Sequence, residues 1–155
     1  MSDATLTNEE RRNLERVQVW VEAWNDSERL THFVKDFYSL DCEVFLPLQK
    51  TWWVKRGKSA HNFQDVETEG AKNFRRRTMR IQHALARGAT VAVEAMITWE
   101  TFSGKTFDSW FAAFLTFDAD GKIETDHTFQ PVIDPSKARL PAGLQAALDR
   151  IAQEQ

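Results

Sequence analysis

The sequence predicts an α+β fold in which helices pack on one face of a curved antiparallel sheet. Three observations predict it. Apolar residues recur at helical spacing through most of the chain up to Gly70. From Phe74 onward polar and apolar residues alternate, which is typical of strands. Glycine turns separate those later segments, as expected of consecutive hairpins, so the strands should pair in antiparallel fashion.

Two helices are expected before the first strand. TNEE, residues 7–10, has the spacing of a capping box and predicts where the first helix begins. NDS, residues 25–27, ends that helix and caps the second one. The apolar side chains that recur at helical spacing are Leu14, Val17, Trp20, Val21 and Trp24 in the first helix and Leu30, Phe33, Val34 and Phe37 in the second.

The middle of the chain is expected to hold one strand and one helix. CEVFLPL, residues 42–48, predicts a short strand that Pro47 ends or bulges. KTWWVKRGK, residues 50–58, is interpreted as an irregular loop. Ser59 is expected to cap a third helix that Gly70 ends.

The second half of the chain is expected to form a meander of four strands and a terminal helix. The alternating pattern places the strands at about 76–86, 89–102, 106–118 and 122–132. Apolar residues at helical spacing predict an amphipathic helix over about 139–153. Neither a repeat nor a linker is recognisable, so residues 1–155 are expected to be one domain.

Composition restricts the class of protein. The net charge of -3 argues against a general nucleic-acid binder. The single cysteine, Cys42, fits a reducing compartment. No apolar run approaches the ~20 residues of a membrane span, and the N-terminal residues lack a signal peptide's apolar stretch. A cytoplasmic protein with no membrane partner is expected.

The last hairpin predicts which way His127 points. FDADGKI has the composition of a three-residue loop, residues 119–121, with glycine in the left-handed region. Regular pairing outward from that loop places Leu115 opposite Thr125 and Ala113 opposite His127, and paired residues share a face. His127 is therefore expected on the apolar inner face, and Asp126 on the opposite face. A register shift of one residue reverses this conclusion.

The preceding hairpin allows two registers. With residues 86–88 as the loop, His83 shares a face with Val91 and Val93. A two-residue loop at 87–88 places it with Glu94 and Met96 instead. The first register is preferred because it builds one uniformly apolar face, and it points His83 inward. A structural role is the alternative for each histidine.

The layout resembles the NTF2-like superfamily, particularly its SnoaL-like branch. The resemblance spans about 8–135 and rests on VEAWNDSERLTHFV, RGKSAHNF and FLTFDADGKIETDHTF, in that order. It implies a cone in which a curved sheet wraps around helices and leaves a deep pocket. Members include ketosteroid isomerase, limonene epoxide hydrolase, polyketide cyclases, scytalone dehydratase and bile-acid dehydratase, so the fold alone does not choose a function.

Residue matching favours the dehydratase type. The position of the oxyanion-hole aspartate of ketosteroid isomerase is matched by Ala113, so that mechanism lacks a key group here. Two strand positions of the Asp–Arg–Asp set of the epoxide hydrolase fall near Ala95 and Ile97, which are apolar, so that mechanism also fits poorly. QHA resembles the QHF of scytalone dehydratase and places His83, while WNDS places Asp26. The tyrosine that precedes the aspartate in that enzyme is missing here.

The favoured function is therefore a cofactor-independent lyase, a dehydratase or carbon–carbon lyase, acting on a hydrophobic aromatic or polycyclic small molecule. His83 and His127 are the predicted proton-transfer residues, because imidazole titrates near neutrality, and Asp26 is the predicted orienting carboxylate. Helix capping is the other interpretation of Asp26. The predicted substrate-binding side chains are Trp24, Tyr38, Trp53, Trp99, Phe111 and Phe129.

Other functions and partners stay open at this point. An isomerase or polyketide cyclase with the same pocket, and a non-catalytic ligand-binding or dimerisation module, are the alternatives. No metal or cofactor is expected, because no ligand-spacing motif is present. Trp110, Phe114 and Met96 are expected to point away from the pocket, which predicts a homodimer through that face. The basic run FRRRTMR, residues 74–80, is interpreted as a solvated strand edge or, alternatively, a clamp for an acidic group.

Overall fold

The computed structural model describes residues 6–47, 51–54 and 59–129, with positions 143, 146 and 150. Its helices are α1 (Asn8–Asn25), α2 (Phe33–Phe37) and α3 (Ser59–Ala71), and a 3₁₀ turn (Arg29–Thr31) lies between α1 and α2. Its strands are β1 (Tyr38–Pro47), β2 (Thr51–Val54), β3 (Arg76–Arg87), β4 (Thr90–Glu100), β5 (Thr106–Phe117) and β6 (Ile123–Phe129). Apart from the three single positions, the helix expected at 139–153 lies outside the described residues.

The first helix begins where the sequence predicts, whereas the second predicted helix is not continuous. Thr7 and Glu10 form the predicted capping box, with Thr7 Oγ1 accepting from the Glu10 N–H at 3.2 Å and Glu10 Oε2 from the Thr7 N–H at 2.8 Å. The second predicted helix is split into the 3₁₀ turn and a five-residue α2. Among the described residues, no helix is long and apolar enough to cross a membrane.

The six strands form one mixed sheet in the order β2-β1-β6-β5-β4-β3. All neighbours pair antiparallel except β1 and β6, which run parallel, so the expectation of a wholly antiparallel sheet is wrong at that one junction. The segment interpreted as an irregular loop contains β2, which pairs with β1 at the edge of the sheet. β2 has only four residues, too few for a clear alternation of polar and apolar side chains.

The sheet has two unlike faces. We call the face that contacts α1 and α3 the inner face and the opposite face the outer face. The inner face of β4 and β5 is apolar and buried: Val91, Val93, Ala95 and Ile97 lie beside Phe111, Ala113, Leu115 and Phe117. Val17, Trp20, Val21 and Trp24 of α1 complete this core. The apolar stripe of α1 thus packs on the face of the sheet to which alternate strand residues point.

The register of β3 and β4 differs from the preferred prediction. Arg87 pairs with Thr90, so the loop is Gly88-Ala89 rather than residues 86–88. His83 pairs with Glu94 on the outer face. Gln82 is a bulge, which returns Ile81 to the inner face opposite Ala95. The prediction that His83 points inward is therefore wrong.

The register of β5 and β6 is predicted correctly at the loop and wrongly beyond it. Asp118 N–H donates to the Lys122 carbonyl at 2.8 Å, and Gly121 has φ 81°, as the three-residue loop requires. Phe117 pairs with Ile123 as expected. Glu124 is then a bulge, after which Phe114 pairs with His127 and Leu115 with Asp126. His127 consequently lies on the outer face and Asp126 on the inner face, opposite to the prediction.

Candidate active site

Asp126 is the most buried acidic side chain on the inner face of β6, with 2% of its surface exposed. Its Oδ2 accepts a hydrogen bond from the Tyr38 hydroxyl at 2.7 Å, and its Oδ1 accepts one from Thr128 Oγ1 at 2.7 Å. Burial raises the pKa of the Asp126 carboxyl to about 6, although both hydrogen bonds act in the opposite direction. Asp126 therefore titrates close to neutrality, where a proton is taken up and released readily.

Tyr38 links this carboxyl to α1. It is the first residue of β1, and its hydroxyl also accepts a hydrogen bond from Trp20 Nε1 at 3.3 Å. Burial, and secondarily the charge of Asp126, raises the pKa of Tyr38 well above its ordinary value. The phenol is therefore neutral and donates to Asp126 throughout the physiological pH range.

A second carboxylate, Glu67 of α3, is held by an aromatic and a cationic partner. Glu67 Oε2 accepts from Trp24 Nε1 at 3.0 Å and lies 3.2 Å from Arg77 Nη2. The Arg77 guanidinium carbon lies 3.6 Å from the centre of a Trp24 ring, a cation–π contact. Burial lowers the pKa of Arg77, and the Glu67 charge opposes that shift. Arg77 and Glu67 thus form an ion pair in which the arginine is buried and the glutamate is partly exposed.

A cavity of about 60 Å³ lies between the two carboxylates. Its polar lining comes from Asp126, Tyr38, Thr128, Glu67 and the two indoles, and its apolar lining is Phe63, Met79, Ile97 and Phe111. A water molecule occupies about 30 Å³ in the liquid, so the space corresponds to two waters or to one functional group of a larger ligand. Within the described ranges, no three His, Cys, Asp or Glu side chains come together as metal ligands.

Solved structures with the same architecture were found. An LEH-like epoxide hydrolase from M. tuberculosis is 16% identical, with a TM-score of 0.65 over 96% of this chain and 96% of that one. The chain has the cone-shaped NTF2-like fold. A SnoaL-like polyketide cyclase candidate from Jannaschia sp. CCS1 is 18% identical (TM-score 0.65, 81% of this chain and 90% of that chain). An NTF2-like protein from Anabaena variabilis is 15% identical (TM-score 0.65, 83% and 96%).

The sequence itself matches less. No protein-family model matches it, and no curated protein matches it either. At 15–18% identity the three structures establish the NTF2-like fold and leave its chemistry to the residues of this chain.

Three of the side chains predicted to bind substrate line the cavity of this NTF2-like cone, namely Trp24, Tyr38 and Phe111. Trp99 lies next to it, edge-on to Trp24 with 6.0 Å between ring centres. Phe129 is exposed on the outer face, because the Glu124 bulge reverses its direction. The Trp53 side chain lies outside the described residues, so its role stays a prediction.

The three residues predicted to be catalytic lie away from the cavity. His83 has a side chain that is 79% exposed, and its Nε2 is 3.8 Å from Glu94. His127 is partly exposed on the outer face, with Nε2 3.5 Å from Glu43 Oε1. Asp26 is exposed at the C-terminal end of α1, and its Oδ1 accepts from the Glu28 N–H at 2.9 Å in a local turn. The expected cap is wrong, because neither the 3₁₀ turn nor α2 has a side-chain cap. The structure thus brings none of them together.

The residues that sequence reasoning missed are Asp126, Glu67 and Arg77. In IETDHTF each of the two faces of the strand carries a titratable residue. Whether Asp126 or His127 faces the cavity therefore depended wholly on the bulge at Glu124. Glu67 lies between Asp65 and Glu69 on a helix. Charged residues on a helix ordinarily face water, so nothing in the sequence distinguished Glu67 from its two neighbours. For Arg77 a signal exists: alternate residues of a strand face inward, and the last arginine of RRR has the inward phase once residue 79 is placed in the core.

Proposed function

We propose that this protein is an enzyme that moves protons on a small hydrophobic molecule, with Asp126 as the group that takes and returns the proton. One observation carries the proposal: a carboxyl that is almost fully buried, with a pKa raised to about 6, lines a cavity whose other walls are mostly aromatic and aliphatic. Perturbed carboxyls in such surroundings are typical of general acids and bases.

The protonation balance suits a base that works near neutral pH. With a pKa of about 6, roughly nine in ten Asp126 side chains are ionised at pH 7, and the conjugate acid is still strong enough to release its proton. The apolar walls make the ionised form costly, which increases its basicity. Tyr38 and Thr128 use one acceptor site on each oxygen and fix the plane of the carboxylate. A carboxylate has about four such sites, so two are left for a ligand.

Glu67 supports this role from the other side of the cavity. Its ion pair with Arg77 and its hydrogen bond from Trp24 hold its carboxylate in place. The negative charge of Glu67 raises the pKa of Asp126 further. Glu67 is therefore a positioning and electrostatic residue, and Asp126 is the proton carrier.

The simplest reaction for one proton carrier is removal of a proton from carbon and its return to another atom of the same molecule. Return to a second carbon gives an isomerisation. Return to a departing oxygen gives an elimination, which is the cofactor-independent lyase expected from the sequence. Both reactions balance without an external oxidant, reductant or metal, and both require the same carboxylate.

The volume of the cavity favours a second candidate, activation of water. Space for about two waters beside a basic carboxylate permits Asp126 to deprotonate a water that attacks an electrophilic carbon. A similar fold occurs in the LEH-like epoxide hydrolase from M. tuberculosis. This reaction incorporates solvent oxygen into the product, whereas the proton shift does not.

Isotope exchange with solvent tests the proposal. A panel of cyclic ketones, β-hydroxy ketones and epoxides is incubated with the protein in D₂O and, separately, in ¹⁸O-labelled water, and products are read by mass spectrometry. Deuterium on carbon identifies proton removal with return to carbon, a product lighter by one water identifies the elimination, and ¹⁸O in the product identifies water activation. Asp126→Asn is expected to abolish each of these signals, while Asp108→Asn, an exposed aspartate on the outer face, is expected to preserve them. Full exchange by Asp126→Asn would contradict the proposal.

A further inference from the structure

A second concave site lies on the other side of Arg77. A groove of about 490 Å³ runs between the end of α1, the end of α3 and the start of β3. Its volume falls in the range of about 300–1,000 Å³ that is usual for small-molecule sites. Leu30 and Phe74 give it an apolar wall, and Asn25 and Ser27 give it neutral polar groups.

The groove is positively charged although the whole chain has a net charge of -3. Arg75, Arg76 and Arg77 line it together with one acidic residue, Glu100, an excess of two positive charges. Glu100 is shared, with Oε1 3.3 Å from Arg75 Nη1 and Oε2 3.2 Å from Arg76 Nε. Both of these arginine side chains are otherwise largely exposed to solvent, so each has donors left for another anion.

Arg77 distinguishes this groove from a solvated strand edge. Its side chain is only 8% exposed, and its described ion pair, to Glu67, uses Nη2. Within the described part of the chain, its buried Nε has no hydrogen-bond partner. A buried guanidinium with an unused donor is costly, and a further negative charge beside it lowers that cost.

We propose that this groove binds a small organic carboxylate, with the carboxylate at Arg75, Arg76 and Arg77 and an apolar body against Leu30 and Phe74. Arginine binds a planar carboxylate through two parallel N–H donors. The two apolar side chains favour a ligand with an apolar body over a bare anion, because that body is then removed from water. The site is separate from the Asp126 cavity and does not depend on the proposed reaction. Asn25 Nδ2 and Oδ1 bond the backbone of Met79 at 3.0 and 2.7 Å and fix the floor of the groove to β3.

Trp24 provides an internal reporter of binding. Its ring lies under Arg77, and its indole N–H donates to the same Glu67 that pairs with Arg77. A carboxylate that binds in the groove forms a hydrogen bond with Arg77 and so changes the surroundings of the Trp24 indole. The Trp24 Nε1–H resonance and the backbone amides of residues 74–77 are therefore expected to shift together.

Titration with benzoate, followed by ¹⁵N–¹H NMR, tests the site. Benzoate is expected to give saturable shifts of these resonances at lower concentration than acetate, which lacks the apolar body, or benzyl alcohol, which lacks the charge. Sulfate distinguishes a simple anion site from a site for organic carboxylates. Equal affinity for sulfate and benzoate, or shifts that never saturate, would overturn the proposal.

Matched variants localise the effect. Arg75→Gln/Arg76→Gln removes two exposed side chains and is expected to weaken benzoate binding about tenfold, the size of one charged hydrogen bond. Arg80→Gln, an exposed arginine on the outer face of the same strand, is the control and is expected to leave the affinity unchanged. Arg77→Lys keeps the charge beside Glu67 but loses the guanidinium fork, and should also weaken binding. Unchanged affinity in both groove variants, or an equal loss in the control, would refute the assignment.

Discussion

Asp126 and His127 are neighbours in the chain, yet their surroundings have almost nothing in common. The Asp126 side chain lies among aromatic rings and two hydroxyls inside the cone. The His127 ring lies on the outer face near Phe45, with 6.0 Å between ring centres. Imidazole is the usual group for proton transfer at neutral pH, but burial moves a carboxyl into the same range. At this site the surroundings of a residue, more than its type, determine which group can carry the proton.

Replacement of Asp126 by asparagine tests the catalytic role at the scale of one residue. The variant keeps an acceptor for Tyr38 but cannot take a proton, so turnover is expected to fall by about 10²–10⁴-fold, as for loss of a general acid or base. The measurement is kcat/KM for whichever substrate the exchange experiment identifies. Asp108→Asn should retain wild-type turnover, and a fall of the same size there would point to a general loss of structure.

The same residue predicts how stability depends on pH. The pKa of Asp126 is raised to about 6 in the folded chain, against about 3.9 in the unfolded chain, so folding favours the protonated form. Its contribution is fully present below about pH 4 and is lost as pH rises through about 6. Relative to Asp126→Asn, the wild type should therefore lose about 2 kcal/mol of unfolding free energy between pH 4 and pH 7.

Urea unfolding of both proteins at several pH values measures this difference. The Asn variant cancels titration at other sites, because those sites are common to both chains. A difference that stays constant with pH would show that Asp126 titrates at its ordinary value.

Tyr38→Phe separates positioning from proton transfer. The hydroxyl donates to Asp126 and lowers the pKa of that carboxyl, so its removal should raise the pKa. The midpoint of kcat/KM against pH is expected to move to higher pH while the plateau activity changes less. Trp20→Phe, which removes the donor to the Tyr38 oxygen, is the matched control one step further from Asp126. A midpoint that does not move would remove Tyr38 from the mechanism.

At the scale of elements, local patterns predicted what each segment forms, and pairing details decided which way it faces. The capping box, all four later strands and the three-residue loop at 119–121 follow from neighbouring residues alone. The bulges at Gln82 and Glu124 are shifts in pairing with β4 and β5, and the local pattern does not contain that pairing. The two-residue loop at 88–89 was enough to reverse His83, and the Glu124 bulge was enough to reverse Asp126, His127 and Phe129.

Two glycines with the same backbone angle form a matched test of the hairpin turns. Gly104 and Gly121 both have φ 81°, and alanine at either is expected to cost about 1–2 kcal/mol of stability because L-residues avoid this region. At Gly121 the new Cβ also meets the Arg16 side chain, whereas at Gly104 it meets open space. Arg16 would have to leave Asn13, which it contacts at 3.1 Å, at a further cost of about 0.5–1 kcal/mol.

Thermal or urea unfolding of the two alanine variants gives the comparison. The expected order of stability is wild type, then Gly104→Ala, then Gly121→Ala. The opposite order would mean that Arg16 does not restrain the last hairpin.

At the scale of the whole molecule, the outer face carries a large apolar surface. Trp110 and Phe114 are each 48% exposed there, with Phe129 and Met96 beside them, which is the orientation expected from the sequence for Trp110, Phe114 and Met96. Patches of this kind on soluble proteins mark interaction surfaces. We therefore retain the prediction that two copies associate through this face.

Mass measurement in solution at micromolar concentration tests the association. The wild type is expected to have the mass of a dimer and Phe114→Glu that of a monomer, since a charge at the centre of an apolar interface is strongly unfavourable. Phe102→Glu, at an exposed phenylalanine of the β4–β5 turn, should leave the dimer intact. A monomeric wild type would exclude the interface.

The architecture was more predictable than the site for a physical reason. Burial of apolar side chains repeats along every element and so leaves a redundant signal, from Val17 and Trp20 in α1 to Val91 and Leu115 in the sheet. The site depends on single polar residues whose partners are distant in sequence, such as Tyr38 and Asp126, 88 positions apart. Trp24, Tyr38 and Phe111 line the cavity as expected because they also belong to the apolar core, and that they bind substrate stays a prediction.

The Glu124 bulge also affects how this chain should be compared with others of the same shape. If a related chain paired its residue at position 124 regularly with β5, its last strand would present the counterpart of His127 to the cavity and the counterpart of Asp126 to the outer surface. An alignment without a gap would then equate a buried carboxyl with a surface one. Residue roles should therefore be transferred between such chains from superposed side chains, because regular pairing in place of this one bulge exchanges the two sets of residues that face the cavity.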